Sequence, residues 1–434
     1  MADDNNGMKE LISFIDDLKL NIGASPAGRY FTRKELKYHV PAGQFEEAWS
    51  VLKLSRALLA NHLPFSGLHL TYVLTPEISE ELYICDQELS KSISSDEGFS
   101  KRAGEYMAET FSEEAISSSQ LEGAVTTEIV ARKMLRKNLQ PRNRDEMMIL
   151  NNHKALQFIR EQKTARLTPE FICEIQRIVT DGTLDEEAKS GVFRKSDDVR
   201  VIDPVNGRII HNPPKAADVP ALISAVCDFA NRDIEPGKQK DVFVHPVICA
   251  IVLHFLIGYI HPFYDGNGRT ARTLFYWYVL SRGYNLFAYL PISKIIKQAR
   301  GKYRDAFLST EEDELDLTYF ILYNIKCIRR AREALAEHIT HEQARAVSLN
   351  ELIGNIPGIS GRQKGILTYI FEHKNEEFMI DEIAARFDVV YQTARTDLYR
   401  LADLKYLRMH KRGRTFTFDV DDTWADTVSL AIKN

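Results

Sequence analysis

This chain lacks the marks of a membrane protein, a secreted scaffold or a strongly charged binding surface. Its five cysteines, Cys85, Cys173, Cys227, Cys249 and Cys327, are scattered through 434 residues with no CxxC pair. That pattern excludes a disulfide framework and a zinc-finger site, and it fits a reducing compartment. The longest apolar run, residues 247–260, falls short of the roughly 20 residues a membrane helix needs and carries His254. A buried core helix is the better expectation, and no membrane partner is expected. Residues 1–7 are polar and acidic, so no secretory leader is expected and the location is read as cytoplasmic. A formal net charge of −5 leaves no overall nucleic-acid signature, so any basic surface is local. Internal repeats and low-complexity tracts are also missing. The length exceeds one ordinary core, which points to two or three domains.

What remains is mostly helical pattern. Residues 1–100 are mixed and read as an accessory segment, with an amphipathic helix at 8–20 and β-like character only at 68–75. From 101 to 345 glycine and proline are sparse and apolar residues recur at three-to-four spacing. Ile172, Ile175, Ile178 and Val179 do so after a start signal at Thr168-Pro169-Glu170. One interruption is a β-hairpin, with Val199, Val201 and Ile202 on one side of Asn206-Gly207 and Ile209 on the other. A lone hairpin in a helical domain is either a surface ornament or an edge that receives another chain. Residues 346–361, with Gly354, Pro357, Gly358 and Gly361, are expected as a linker. Residues 362–434 then offer three short helices and a basic-tipped hairpin, a winged helix-turn-helix pattern.

The chemistry concentrates in residues 261–272, His-Pro-Phe-Tyr-Asp-Gly-Asn-Gly-Arg-Thr-Ala-Arg. Gly266, Asn267 and Gly268 let backbone approach a ligand without Cβ clashes. The helix that begins near Arg269 offers unpaired N–H groups and the positive end of its dipole, an anion site. Arg269 and Arg272, three apart, share a helix face and suit a polyphosphate. Asp265 beside them makes sense through a divalent cation that bridges phosphates. His261 titrates near neutral pH and is placed to accept a proton. Each feature alone is ordinary. A histidine before proline usually just ends a helix, and two arginines three apart are usually a solvated face. Their coincidence in twelve residues is what carries the reading.

These residues resemble the signature of Fic-domain proteins, HPFx(D/E)GN(G/K)RxxR, matched at every specified position. Gly191-Val192-Phe193-Arg194 and His245-Pro246 extend the resemblance over about residues 101–330. It implies a mainly α fold, a Fic helical core with a β-hairpin flap, here followed by the small winged-helix (α+β) module. It also implies transfer of AMP from ATP to a Ser, Thr or Tyr hydroxyl of a target protein or of the chain itself. His261 would be the base, Asp265 would hold Mg²⁺, and Gly266, Asn267 and Gly268 would stabilise the α-phosphate. Arg269 and Arg272 would hold the β- and γ-phosphates. Val199, Val201, Ile202 and Ile209 would clamp the target by strand addition.

A second stretch, Ser118 to Gly123, reads locally as a helix end with Gly123 as its cap. The family resemblance is sharper: many members carry an inhibitory (Ser/Thr)xxxE(Gly/Asn) helix. Ser118, Glu122 and Gly123 match it, so Glu122 is expected to pair with Arg272 and misdirect the γ-phosphate. In some relatives the same glutamate serves AMP removal, which stays open here. In the C-terminal module, Arg395, Arg400, Arg408, Lys411, Arg412 and Arg414 suggest DNA, while Asp397 and Asp403 on the same helix argue for protein docking or a homodimer. The competing reading is a DNA-binding regulator whose Fic domain senses nucleotide. An intact His261 and Asp265 favour the transferase.

Overall fold

A computed structural model describes residues 29–90, 103–186, 189–202, 207, 209–232, 242–373, 377–412 and 415–424. The chain divides into two compact units, residues 1–335 and 336–434. The helix expected at 8–20 lies outside the described residues.

The first unit opens with α1 (Arg33–Leu36) and α2 (Phe45–Leu59). Strands β1 (Ala60–His62) and β2 (Thr71–Val73) then pair antiparallel. The β-like stretch is therefore a strand. Its three-residue partner was too short to show a period in the sequence. Helix α3 (Pro76–Glu88) starts where the Thr75 side chain accepts from the Ile78 amide and Pro76 fills the first turn.

Next come α4 (Ala103–Leu121), α5 (Glu128–Arg136), α6 (Arg144–Glu161) and α7 (Pro169–Thr180). Asn143 and Thr168 cap α6 and α7, the latter at the expected start signal. Strands β3 (Val201–Ile202) and β4 (Ile209–His211) pair antiparallel with a register shift. Val199 lies outside the pairing. The turn residues 203–206 and 208 lie outside the described residues. Then follow α8 (Val219–Asn231), α9 (Pro246–Ile260), α10 (Asn267–Ser281), α11 (Ile292–Gln298), α12 (Arg300–Glu312) and α13 (Thr318–Gly354).

The apolar run 247–260 is α9, the central helix, and it packs along α10. Every residue of α10 except Gly268 and Ser281 is buried, because α4, α6, α7 and α9 surround it. Its first turns nevertheless carry Arg269, Thr270, Arg272 and Thr273. Burying such groups is unfavourable unless each finds partners, so their placement there calls for a chemical reason.

The second unit holds α14 (Gly361–Glu372), β5 (Phe378–Met379), α15 (Ile380–Arg386), α16 (Tyr391–Asp403), β6 (Leu407–Arg412) and β7 (Thr415–Val420). The three strands form one sheet in the order β5-β7-β6, around a core that includes Ile366, Ile370, Ile383, Leu398 and Phe418. Strand β5, two residues long, is absent from the sequence expectation. The expected linker 346–361 needs correction, since it is helical as far as Gly354. Leu349 and Ile353, four apart, pack on this unit's core, which outweighs the weak helix propensity of one terminal glycine.

One buried anion ties α3 to α13. Glu81 is fully buried and accepts from Arg329 Nε at 2.9 Å and Arg332 Nε at 3.1 Å. Glu81→Ala should lower unfolding stability by about 2–3 kcal/mol, the size of losing charge-assisted hydrogen bonds. Glu81→Gln should lose less. Urea unfolding checks this, and an unchanged midpoint for the alanine variant would refute it.

Candidate active site

Helix α9 ends at His261, whose φ of +48° turns the chain out of the helix while its N–H still bonds the Ile257 carbonyl at 3.0 Å. The ring Nδ1 lies 3.1 Å from the Gly258 carbonyl. A carbonyl can only accept, so Nδ1 carries the proton and Nε2 keeps its lone pair. Burial pushes the His261 pKa down to about 4, against the Gly258 hydrogen bond that favours the charged ring. At neutral pH the ring is an uncharged base.

The loop that follows is held from several sides. Asn267 Oδ1 accepts from the Phe263 N–H and its Nδ2 donates to the Phe263 carbonyl, both at 2.9 Å. The amide thus staples the loop closed across four residues. Gly266 has φ +79°, and a Cβ there would sit 2.7 Å from Thr180 Cγ2, so only glycine fits. Gln176 Nε2 donates to the Asp265 carbonyl at 2.9 Å. Arg194 is buried, and its guanidinium donates to the carbonyls of His261 at 2.9 Å, Ile260 at 3.3 Å and Ser196 at 3.1 Å, and to that of Pro214.

Two guanidiniums flank the first turn of α10. Arg269, fully buried, donates through Nη1 to the Val179 carbonyl at 2.5 Å and lies 3.6 Å from Asp265 Oδ1. Its Nε is buried without a hydrogen-bond partner among the described residues. Arg272 turns the other way, to α4: Nε donates to Ser118 Oγ at 2.8 Å, and Nη2 donates to the Ser118 carbonyl at 3.0 Å and to Glu122 Oε1 at 2.7 Å. Asp265 is half-exposed, accepts from the Gly266 N–H at 2.5 Å, and has Arg144 within 3.8 Å. Among the described residues no group of three or more His, Cys, Asp or Glu side chains forms a metal cage.

Helix α4 ends at Leu121, and Gly123, at φ +101°, takes the left-handed turn expected of a cap. Glu122 sits between them with 31% of its side chain exposed. Burial works against its charge, but the Arg272 guanidinium, with Arg269 behind it, wins and holds the carboxyl below its usual range. A Cβ on Gly268 would lie 2.1 Å from Glu122 Oε1. Glycine at 268 is therefore a condition for Glu122 to occupy this seat.

The structure brings His261, Asp265, Asn267, Arg269 and Arg272 into one loop and places Ser118 and Glu122 against it. On the hairpin, Ile202 and Ile209 are exposed, while His211 is buried with its ring paired to Glu311 and its Nε2 2.7 Å from the Tyr259 carbonyl. The sequence showed no role for Gln176, Arg194 or His211. Each works through backbone carbonyls or a distant carboxylate, which leave no trace in residue spacing.

Residues 166–279 match the model of the Fic/DOC family, a segment that begins after Gly123. A protein adenylyltransferase Fic from Nematostella vectensis is 28% identical over 330 residues, 70% of this chain and 70% of that protein. One of the same name from Aedes aegypti is 34% identical over 164 residues, and the match spans only 28% of its length. The crystal structure of a Fic family protein from Desulfovibrio desulfuricans G20 shares the fold, with a TM-score of 0.53 at 16% identity over 81% of this chain and 98% of that one. The Fic/DOC-family match thus lies in residues 166–279, and the fold around it is shared with a solved Fic family protein.

Proposed function

We propose that this chain is a protein adenylyltransferase that moves AMP from ATP to a Ser, Thr or Tyr hydroxyl, and that Glu122 restrains it. The observation that carries the reading is the neutral His261, its Nε2 lone pair available, one loop away from two buried arginines. His261 takes the hydroxyl proton as the hydroxyl oxygen attacks the α-phosphorus. The bond to the β-phosphate oxygen breaks and pyrophosphate leaves. The N–H groups of Asn267 and Gly268, at the start of α10, face the α-phosphate, while that of Gly266 is taken by Asp265. Asn267 contributes by keeping that turn closed. Arg269 and Arg272 hold the outer phosphates.

A single carboxylate, Asp265, fits a cation that takes most of its ligands from the phosphates. Bound there, Mg²⁺ would neutralise phosphate charge. The hairpin, with Ile202 and Ile209 outward, suits strand addition by a target segment. Glu122 holds the guanidinium that the γ-phosphate needs, so ATP meets a site unable to orient it. Misplacement of about an ångström already costs on the order of 10²-fold in rate.

A second reading concerns residues 362–434, which we take as a winged helix-turn-helix domain. Asp397 favours a role in DNA binding, because it turns inward to Arg362 and Gln363 and leaves Gln392, Arg395 and Thr396 on the outer face of α16. Against that, Arg408 is engaged by Asp419 and Asp422. Residues 413 and 414, at the basic tip, lie outside the described residues.

With ATP and Mg²⁺, Glu122→Gly should raise modification of the chain or a target on the order of 10²-fold. His261→Ala in that background should remove about 10²–10⁴-fold. Intact-protein mass spectrometry reads both as gain or loss of an AMP mass increment. ATP binding without covalent change, coupled to DNA affinity, would favour the sensor instead.

The acid limb of the Glu122→Gly rate profile should lie at or below about pH 4, because the variant also loses the Glu122 charge that favours the protonated ring. A base whose pKa is depressed stays neutral above it and is lost only as pH falls through that value. A limb near the ordinary histidine value of about 6.5 would count against His261 as the base.

A further inference from the structure

The end of α4 leaves carbonyl groups that no helical N–H can reach. The Ser119 carbonyl accepts from the Glu122 and Ala124 amides, both at 3.1 Å, and the Gln120 carbonyl accepts from the Gly123 amide at 3.2 Å. Two arginines complete the set. Arg272, from inside, takes the Ser118 carbonyl. Arg300, the first residue of α12, takes the Leu121 carbonyl and reaches the Gln120 carbonyl at 3.2 Å. Lys297 adds a third tie: its Nζ donates to Gln120 Oε1 at 2.6 Å, and Gln120 Nε2 donates onward to the Thr126 carbonyl at 2.8 Å. The turn that carries Glu122 is thus gripped from outside by two cations. A cation at a helix C-terminus is also favoured by the dipole.

We infer that Arg300, supported by Lys297, is a positioning residue that holds Glu122 on Arg272. The inference rests on the restrained-transferase reading above and extends it to residues outside the loop and the Ser118–Gly123 motif. Its logic is that the inner grip is contested. ATP competes for Arg272, and when ATP takes it the Ser118 carbonyl and Glu122 lose their partner together. The outer grip is not contested, so it decides how readily the turn stays seated. Arg300 and Lys297 are both exposed, and neither touches the 261–272 loop in any hydrogen bond described. Removing either leaves a solvated surface position rather than a buried charge.

The test uses the full chain with ATP and Mg²⁺, with initial rates of modification from intact-protein mass spectrometry and a separate titration of ATP affinity. Arg300→Ala should raise the rate on the order of tenfold, the effect of one charge-assisted hydrogen bond. Arg300→Lys, which keeps the charge and a donor, should recover most of the restraint. Lys297→Ala should act in the same direction, less strongly. In the Glu122→Gly background none of the three should change the rate, because the group they position is gone. An equal effect in both backgrounds would show a general structural role and overturn the inference. So would a gain for Glu122→Gly with none for Arg300→Ala or Lys297→Ala. If Glu122→Gly itself gains nothing, the restraint reading fails first and takes this inference with it.

Discussion

Two guanidiniums are buried at the start of α10, and the rest of the site is arranged to satisfy them. A buried cation without partners is far more costly than any neutral group its size. Arg269 is met by the Val179 carbonyl at the end of α7 and by Asp265. Arg272 is met by Ser118 and Glu122 at the end of α4. Each arginine therefore fixes one neighbouring helix end, and together they bring α4 and α7 to opposite sides of the same turn. Under the proposed function, a polyphosphate at this turn would replace partners that are already anionic or carbonyl oxygen, and Glu122 would occupy one of the places it needs.

The loop before them is rigid for a different reason. Its carbonyls and amides face side chains rather than water: Asn267 on Phe263, Gln176 on Asp265, Arg194 on His261 and Ile260. In the proposed role of base, His261 would need its lone pair held within about 0.5 Å of its target, and a loop tied by neutral and charge-assisted hydrogen bonds suits that. The Gly258 carbonyl selects the tautomer, and burial keeps the ring uncharged.

Much of this was legible in the residues. The apolar run 247–260 gave a buried helix, Thr168-Pro169 gave a start, and residues 261–272 marked the segment where the candidate site residues gather. The short strands were not legible, because β1 and β5 are too brief for a period-two pattern to register. The contact of Glu122 with Arg272 spans 150 residues of chain, and only a family resemblance suggested it. Reading 346–361 as a linker failed because glycine punctuation was weighed above the apolar pair Leu349 and Ile353. Arg300 escaped notice, and Arg194 stood out only as part of a family motif with no role of its own, since an arginine that binds backbone carbonyls needs no partner residue type. Nothing in a sequence distinguishes it from a solvated one.

Gly268 bears on how the Glu122–Arg272 contact can be lost. The space that admits Glu122 Oε1 is the space where a side chain would begin. Any other residue there collides with the carboxylate, yet position 268 is otherwise in ordinary helical conformation and imposes no demand for glycine through its backbone. The contact between Glu122 and Arg272 thus depends on two positions, a carboxylate just past the end of α4 and a missing methyl on α10. Removing the carboxylate ends the contact, and adding the methyl forces the carboxylate out of the position it now holds, whereas the observed geometry requires both at once. A single substitution at either position is therefore enough to disturb this geometry, while forming it takes the right residue at both.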